Sequence, residues 1–152
     1  MKLEILKNGN PILRKKTGKI KDPLEKKVQS LIDFMLATMR SANGMGLAAP
    51  QIGESIRLCV IEENGKTYVL MNPKVTAYSK KKVLMEEGCL SFPGEFFQIS
   101  RPEEVKIRYI DKEGKNAKLK ADGLLARALQ HEIDHLDGIL ITDRVRKSKK
   151  IK

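Results

Sequence analysis

Along residues 22–42 apolar side chains recur at spacings of three, four and one: Leu24, Val28, Leu31, Ile32, Met35, Leu36 and Met39. That spacing lays them on one face of an amphipathic helix. Asp22 as N-cap, Pro23 at the first helical position and Glu25 completing a capping box predict its start, and Asn43-Gly44, which tolerate the left-handed conformation, its end. The period then shortens. Residues 57–62 and 67–72 flank Glu63-Asn64-Gly65-Lys66 and predict a hairpin. Residues 105–111, with Val105, Ile107 and Tyr109 on one face, turn at Lys112-Glu113-Gly114-Lys115 and return over 117–121 as a second. Between the hairpins, residues 83–91 predict a strand, followed by a Pro- and Phe-rich loop over 92–97. Asp122 caps a second helix running to about Asp137, with Leu124, Leu125, Ala128, Leu129 and Leu136 as apolar contacts and Gly138 as its stop. Helix, strands joined by short turns, then helix predicts an α+β fold of mostly antiparallel sheets.

Composition narrows the class. At 152 residues the chain has about one domain's length. It can bury roughly two-thirds of the surface its unfolded form exposes. Apolar residues are 41% and charged residues 32%, and no apolar run reaches the roughly 18 residues of a membrane span. The first residues, Met1-Lys2-Leu3-Glu4-Ile5-Leu6-Lys7, interrupt their apolar positions with charge and do not read as a secretory leader, so a cytoplasmic location is expected. The net charge of +11 raises a nucleic-acid partner, yet six basic and no acidic residues fall in 144–152, leaving +5 for residues 1–143. Three Tyr, four Phe and no Trp offer few stacking platforms, so nucleic acid is set aside as the substrate. Residues 1–143 read as the catalytic domain and 144–152 as a basic tail. No Pro/Gly/Ser linker divides the chain and no internal repeat is present.

The strongest chemical signal is His131-Glu132-Ile133-Asp134-His135, an H-E-x-x-H pentad inside the second helix. Helical spacing puts the chain's only two histidines one turn apart on one face, where both imidazoles reach a single metal and Glu132 lies beside it. A catalytic metal of this type takes a third protein ligand and keeps one position open. Ile141 stands where the extended protease pattern places its third His, and no Glu follows Glu132, so the third ligand is sought upstream. Cys59, inside Leu58-Cys59-Val60-Ile61, reads as a buried apolar side chain. Cys89, in the polar segment Glu86-Glu87-Gly88-Cys89-Leu90-Ser91, is either a free structural thiol or, as thiolate, the third member of a Cys/His/His set. The small residues of 44–53, with Gln51 among them, let another backbone approach closely. They lack the spacing of a phosphate loop, so no nucleotide cofactor is expected.

Three segments together resemble the peptide deformylase family, whose marks are G-x-G-x-A-A-x-Q, E-G-C-L-S and Q-H-E-x-D-H-L-x-G. Here they are Gly44-Met45-Gly46-Leu47-Ala48-Ala49-Pro50-Gln51, Glu87-Gly88-Cys89-Leu90-Ser91 and residues 130–138, in that order and with every fixed position matched. The resemblance implies that Cys89, His131 and His135 bind one divalent metal, Fe²⁺ natively, with Zn²⁺, Ni²⁺ or Co²⁺ able to substitute. It implies that Glu132 is the general base and then acid, and that the Gln51 amide and Leu90 N–H hold the oxyanion. The reaction implied is removal of the formyl group from the N-terminal formylmethionine of newly made polypeptides, releasing formate. The peptide would lie extended between Gly44–Gly46 and Glu87-Gly88, its methionine side chain against Met45, Leu124, Ala128 and the stem of Arg127, with Glu87 and Arg101 paired behind the Cys segment. The basic tail stands where many relatives carry a longer helix, and implies a possible ribosome contact. Other readings of the pentad are a zinc peptidase and a binding module built on a structural metal.

Overall fold

The structure, a computed structural model, describes residues 4–145. Two helices, α1 (Lys26–Ser41) and α2 (Gly123–Leu136), sandwich a sheet and accompany a separate ribbon. The sheet has five antiparallel strands in the order β1 (Gly46–Ala48), β2 (Leu58–Glu63), β3 (Lys66–Tyr78), β6 (Glu104–Ile110) and β7 (Asn116–Asp122). The ribbon pairs β4 (Lys82–Cys89) with β5 (Phe92–Pro102). The α+β expectation holds.

Strand β2 explains the layering. Its apolar run is buried on both faces: Leu58 and Val60 pack with Val28, Ile32, Met35 and Met39 of α1, while Cys59 and Ile61 pack with Ala126, Leu129, Ile133 and Leu136 of α2. Cys59 is thus the buried apolar residue its neighbours predict. A third cluster, Leu13, Phe92, Ile99, Leu140 and Ile141, seats the ribbon against the start and end of the described chain. Both hairpins form, the first around a two-residue Asn64-Gly65 turn with both residues at positive φ.

Three local expectations are corrected. Helix α1 begins at Lys26, not near Asp22, and no side chain caps it. Asp22 instead accepts from the Leu24 N–H at 3.2 Å, closing a local turn that competes with the helix, and Leu24 is 60% exposed rather than core. Residues 92–97 are not a loop. They begin β5, with Pro93, Gly94 and Glu95 taken up where the register slips between Gly88↔Phe96 and Cys89↔Phe92, so the missing Pro93 N–H breaks no regular ladder. Asp122 flanks α2 but makes no side-chain cap bond; it is the last residue of β7, opposite Glu104.

Both helix ends match their glycine and asparagine signals. The Gly44 N–H donates to Met39 and Asn43, at φ +56°, to Arg40; Ile139 and Gly138 repeat the pattern on Asp134 and His135. At Gly138 the φ is +74° and an added Cβ would stand 2.5 Å from the Arg14 carbonyl oxygen, so only glycine fits. Residues 141–145 are helical, and Arg144 binds Asp134 at 2.7 Å, so the domain extends at least one residue past the expected boundary at 143. The rest of the basic tail, 146–152, lies outside the described residues.

Candidate active site

Helix α2 is amphipathic with a buried polar stripe: Arg127, Gln130, Glu132, Asp134 and His135 are all buried. Polar groups are tolerated there only when partnered, and nearly every partner comes from the ribbon. His131 and His135 stack edge to face with ring centroids 5.0 Å apart. The end of β4 brings Cys89 Sγ to 3.3 Å from His135 Nε2, and the ligand atoms of Cys89, His131 and His135 all lie within 4.8 Å of one another. The His131 Nδ1 lies 3.2 Å from a Glu87 oxygen, which leaves its Nε2 for the cluster. One thiol and two imidazoles suit a borderline or soft divalent ion. Among the described residues the cluster has three members, one fewer than a closed tetrahedral site needs. The residues therefore fit one metal with an open position.

Glu132 sits beside that opening. Its Oε1 is buried without a hydrogen-bond partner, and burial pushes its carboxyl up to about 7, against the opposing pull of His131 and Arg101. Gly46 makes room for it: a Cβ there would stand 2.5 Å from Glu132 Oε2. Gly46→Ala should accordingly displace the carboxylate, and turnover should fall far more than the melting temperature. Burial lowers His135, helped by His131 and Arg101, and keeps it neutral. Burial also pulls His131 down, but Glu132, Cys89 and Glu87 around it more than offset this.

Gln51 is fixed by both ends of its amide. Its Oε1 accepts from the Ala48 N–H at 2.9 Å, and its Nε2 donates to Ser91 Oγ at 3.1 Å and faces Cys89 Sγ at 3.8 Å; Ser91 in turn donates to the Leu6 carbonyl at 2.7 Å. Glu87 is held just as firmly. Arg101 donates to both of its oxygens and Arg127 to one, and although burial alone would raise its carboxyl, the His131 and Arg101 hydrogen bonds hold it at about 2. Arg101 also reaches Asp134 at 2.9 Å, which Arg144 holds from the other side.

These groups open onto a cleft of about 700 Å³ between the β1 edge and the ribbon. Gly44, Met45, Gly46, Gln51, Glu87, Gly88, Cys89, Leu90, Leu124, Arg127, Ala128, His131 and Glu132 all line it; His135 lies fully buried behind. Beyond the stem expected in the cleft, Arg127 has a buried guanidinium that binds Glu87, the Ile99 carbonyl at 2.9 Å and the Val83 carbonyl at 2.6 Å. Ser91 and Asp134 stand at fixed positions of the family segments but the resemblance gives them no role, and Arg144 and Phe96, whose ring borders Gly88 in the cleft, carry no sequence signal as site residues. The alternation of residues 96–100 is the signal that could have found β5 and with it Phe96.

The polypeptide deformylase family model matches residues 2–151. The chain belongs to the peptide deformylase family. It is 48% identical over 148 residues to the peptide deformylase of Thermodesulfovibrio yellowstonii, covering 94% of this chain and 88% of that one. The crystal structure of the Thermotoga maritima peptide deformylase superposes with a TM-score of 0.93 at 35% identity, covering 95% of this chain and 98% of that one. A Synechococcus elongatus peptide deformylase in complex with actinonin gives 0.91 at 39% identity, covering 99% and 85%. As a deformylase, the chain is a hydrolase that removes the N-formyl group from newly made polypeptides. No helix among the described residues is long and apolar enough to cross a membrane.

Proposed function

We propose that the cleft deformylates N-terminal formylmethionine with Cys89, His131 and His135 holding one metal, Fe²⁺ in the native protein and replaceable by Zn²⁺, Ni²⁺ or Co²⁺. The observation that carries this reading is the convergence of the three ligand atoms on a position beside the unpartnered Glu132 oxygen. A metal there supplies Lewis acidity toward the formyl oxygen and the attacking water. Glu132 takes the proton from that water at its free carboxylate oxygen and gives it to the departing methionine nitrogen. The Gln51 amide, aimed by Ala48 and Ser91, and the Leu90 N–H receive the charge that develops on the formyl oxygen. Because Ala48 and Ser91 fix the Gln51 amide before substrate arrives, its donation costs little reorganisation.

The β1 edge supports an extended peptide between Gly44–Gly46 and Glu87-Gly88, with backbone bonds giving affinity and the Met45, Leu124 and Ala128 surface receiving the methionine side chain. Action on newly made polypeptides supports a cytoplasmic location. Residues 146–152 add salt-sensitive attraction to ribosomes, and their removal, with Arg144 spared, should leave turnover of a small formylated peptide unchanged.

The ligand assignment separates the two cysteines. Cys89→Ala should lose the metal, measured as metal per chain after gel filtration, whereas Cys59→Ala should keep it and lose only packing in the core. Equal metal content in the two variants would rule out Cys89 as a ligand.

A further inference from the structure

An alternating row of charges runs along the seam between α2 and the ribbon. Arg127, His131 and Asp134 follow one another at spacings of four and three and so share one stripe of α2. The ribbon sets Glu87 of β4 and Arg101 of β5 against that stripe. Taken in order the row is Arg127, Glu87, Arg101, Asp134 and Arg144, each ion-paired with the next, and His131 joins it at Glu87. The side chains from Arg127 to Asp134 are 4–12% exposed, and that of Arg144, at 27%, is the most open to solvent.

The donors along the row are unevenly divided. Arg101 gives its Nε and Nη2 to the two oxygens of Glu87 and its Nη1 to Asp134. Arg144 reaches both oxygens of Asp134, its Nε donating to Oδ2 at 2.9 Å and its Nη2 to Oδ1 at 2.7 Å. That fork satisfies Asp134 and leaves the fork of Arg101 to Glu87. Without Arg144, the buried carboxylate of Asp134 would keep a single N–H from Arg101, a costly state where the local dielectric is low. Two carboxylates would then compete for one guanidinium, and a turn of Arg101 toward Asp134 would loosen Glu87. Glu87 in turn holds His131 Nδ1 at 3.2 Å, and with it the direction of the Nε2 left for the ligand cluster.

Arg101, Asp134 and Arg144 line a cavity of about 590 Å³ and are absent from the catalytic cleft, so Arg144 reaches the reacting atoms only through the side chains between. Arg144 also belongs to the helical residues 141–145, which a second ion pair, Arg14 with Asp143 at 2.6 Å, ties to the start of the described chain. That pair anchors the same segment without touching the row, and so separates anchoring from positioning.

We propose that Arg144 is a positioning residue for His131, a role that rests on the ligand assignment above: by holding Asp134 it keeps Arg101 on Glu87, and Glu87 on the imidazole.

Co²⁺ uptake by the full chain tests this, with affinity read by chelator competition and ligand geometry by the visible absorption of the loaded protein. Arg144→Ala should weaken Co²⁺ binding about three- to tenfold, less than the ten- to a hundredfold typical of a residue that touches the ligand itself, and should shift the Co²⁺ bands. Arg14→Ala should stay within about twofold of the parent, its bands unmoved. Asp134→Asn removes the carboxylate that competes for Arg101, so adding Arg144→Ala to it should weaken binding by less than about twofold more. Urea unfolding of the metal-free proteins reports that each is folded. Where Arg144→Ala does not fold, Arg144→Lys, whose ammonium cannot fork onto both oxygens, takes its place with an expected loss of about two- to fivefold. Parent-like affinity and bands in the Arg144 variant would overturn the proposal, as would an equal loss in Arg14→Ala or an undiminished loss in the Asp134→Asn background. A parent protein that binds no Co²⁺ would instead remove the ligand assignment itself, and this role with it.

Discussion

Glu132→Gln should lower formate release by roughly 10²–10⁴-fold while metal content and peptide binding stay near those of the parent protein. The amide keeps the shape that fits over Gly46 and removes the base. A surface glutamate would leave turnover unchanged, and a ligand glutamate would take the metal with it. Metal analysis and formate release on one preparation therefore separate the three roles, and near-normal turnover would end the proposed mechanism. A second readout follows from burial, which raises the Glu132 carboxyl from 4.5 to about 7. A raised carboxyl means the folded state keeps a proton that the unfolded state releases, so in the metal-free protein stability falls as pH climbs from 4.5 to 7. The Gln variant lacks that penalty. Stripped of metal, it should gain up to about 3 kcal/mol over the parent at pH 8 and under about 1 kcal/mol at pH 5.

Glu87→Gln should be the most destabilising single change at the site, by about 3–5 kcal/mol near neutral pH. One amide oxygen cannot serve Arg101, Arg127 and His131 together, and the amide N–H groups would face two buried guanidinium donors. The Glu87 carboxyl is held down at about 2, so its contribution is fully present above 4.5 and drains away as pH falls toward 2. Urea unfolding should show the gap between variant and parent at pH 7 narrowing at pH 3. Since Glu87 also orients His131, metal affinity should drop ten- to a hundredfold in a chelator competition. Unchanged affinity alongside the lower stability would confine Glu87 to holding the ribbon.

The donors of the site were legible in the sequence because they are written locally. His131 and His135 are one turn apart, and the Gly-Cys and Gly-Gln segments have fixed internal spacings. What supports the donors is not local. The Glu87–Arg101 pair is legible only through the family resemblance, Arg144 reads as ordinary tail charge, and it takes folding to show that Arg127 also binds Glu87 and that Arg101 and Arg144 both hold Asp134. The same holds for the fold. Helix α1, both hairpins and α2 follow from periodicity, whereas β5 was hidden because Pro93 and Gly94 punctuate its first half and its pairing with β4 tolerates them only as a register slip.

The bracing of Gln51 and Glu87 sets an order of assembly. Ser91, which aims Gln51, is tied to the Leu6 carbonyl, and Asp134, which braces Arg101, is gripped by Arg144. Cys89 and His135 are themselves 46 positions apart. Contacts that reach from residue 6 to residue 144 must form before the ligands and the amide donor are held where they are needed. Deformylation should therefore appear late and all at once as this protein folds, after its helices and hairpins have formed, with no partly active intermediate along the way.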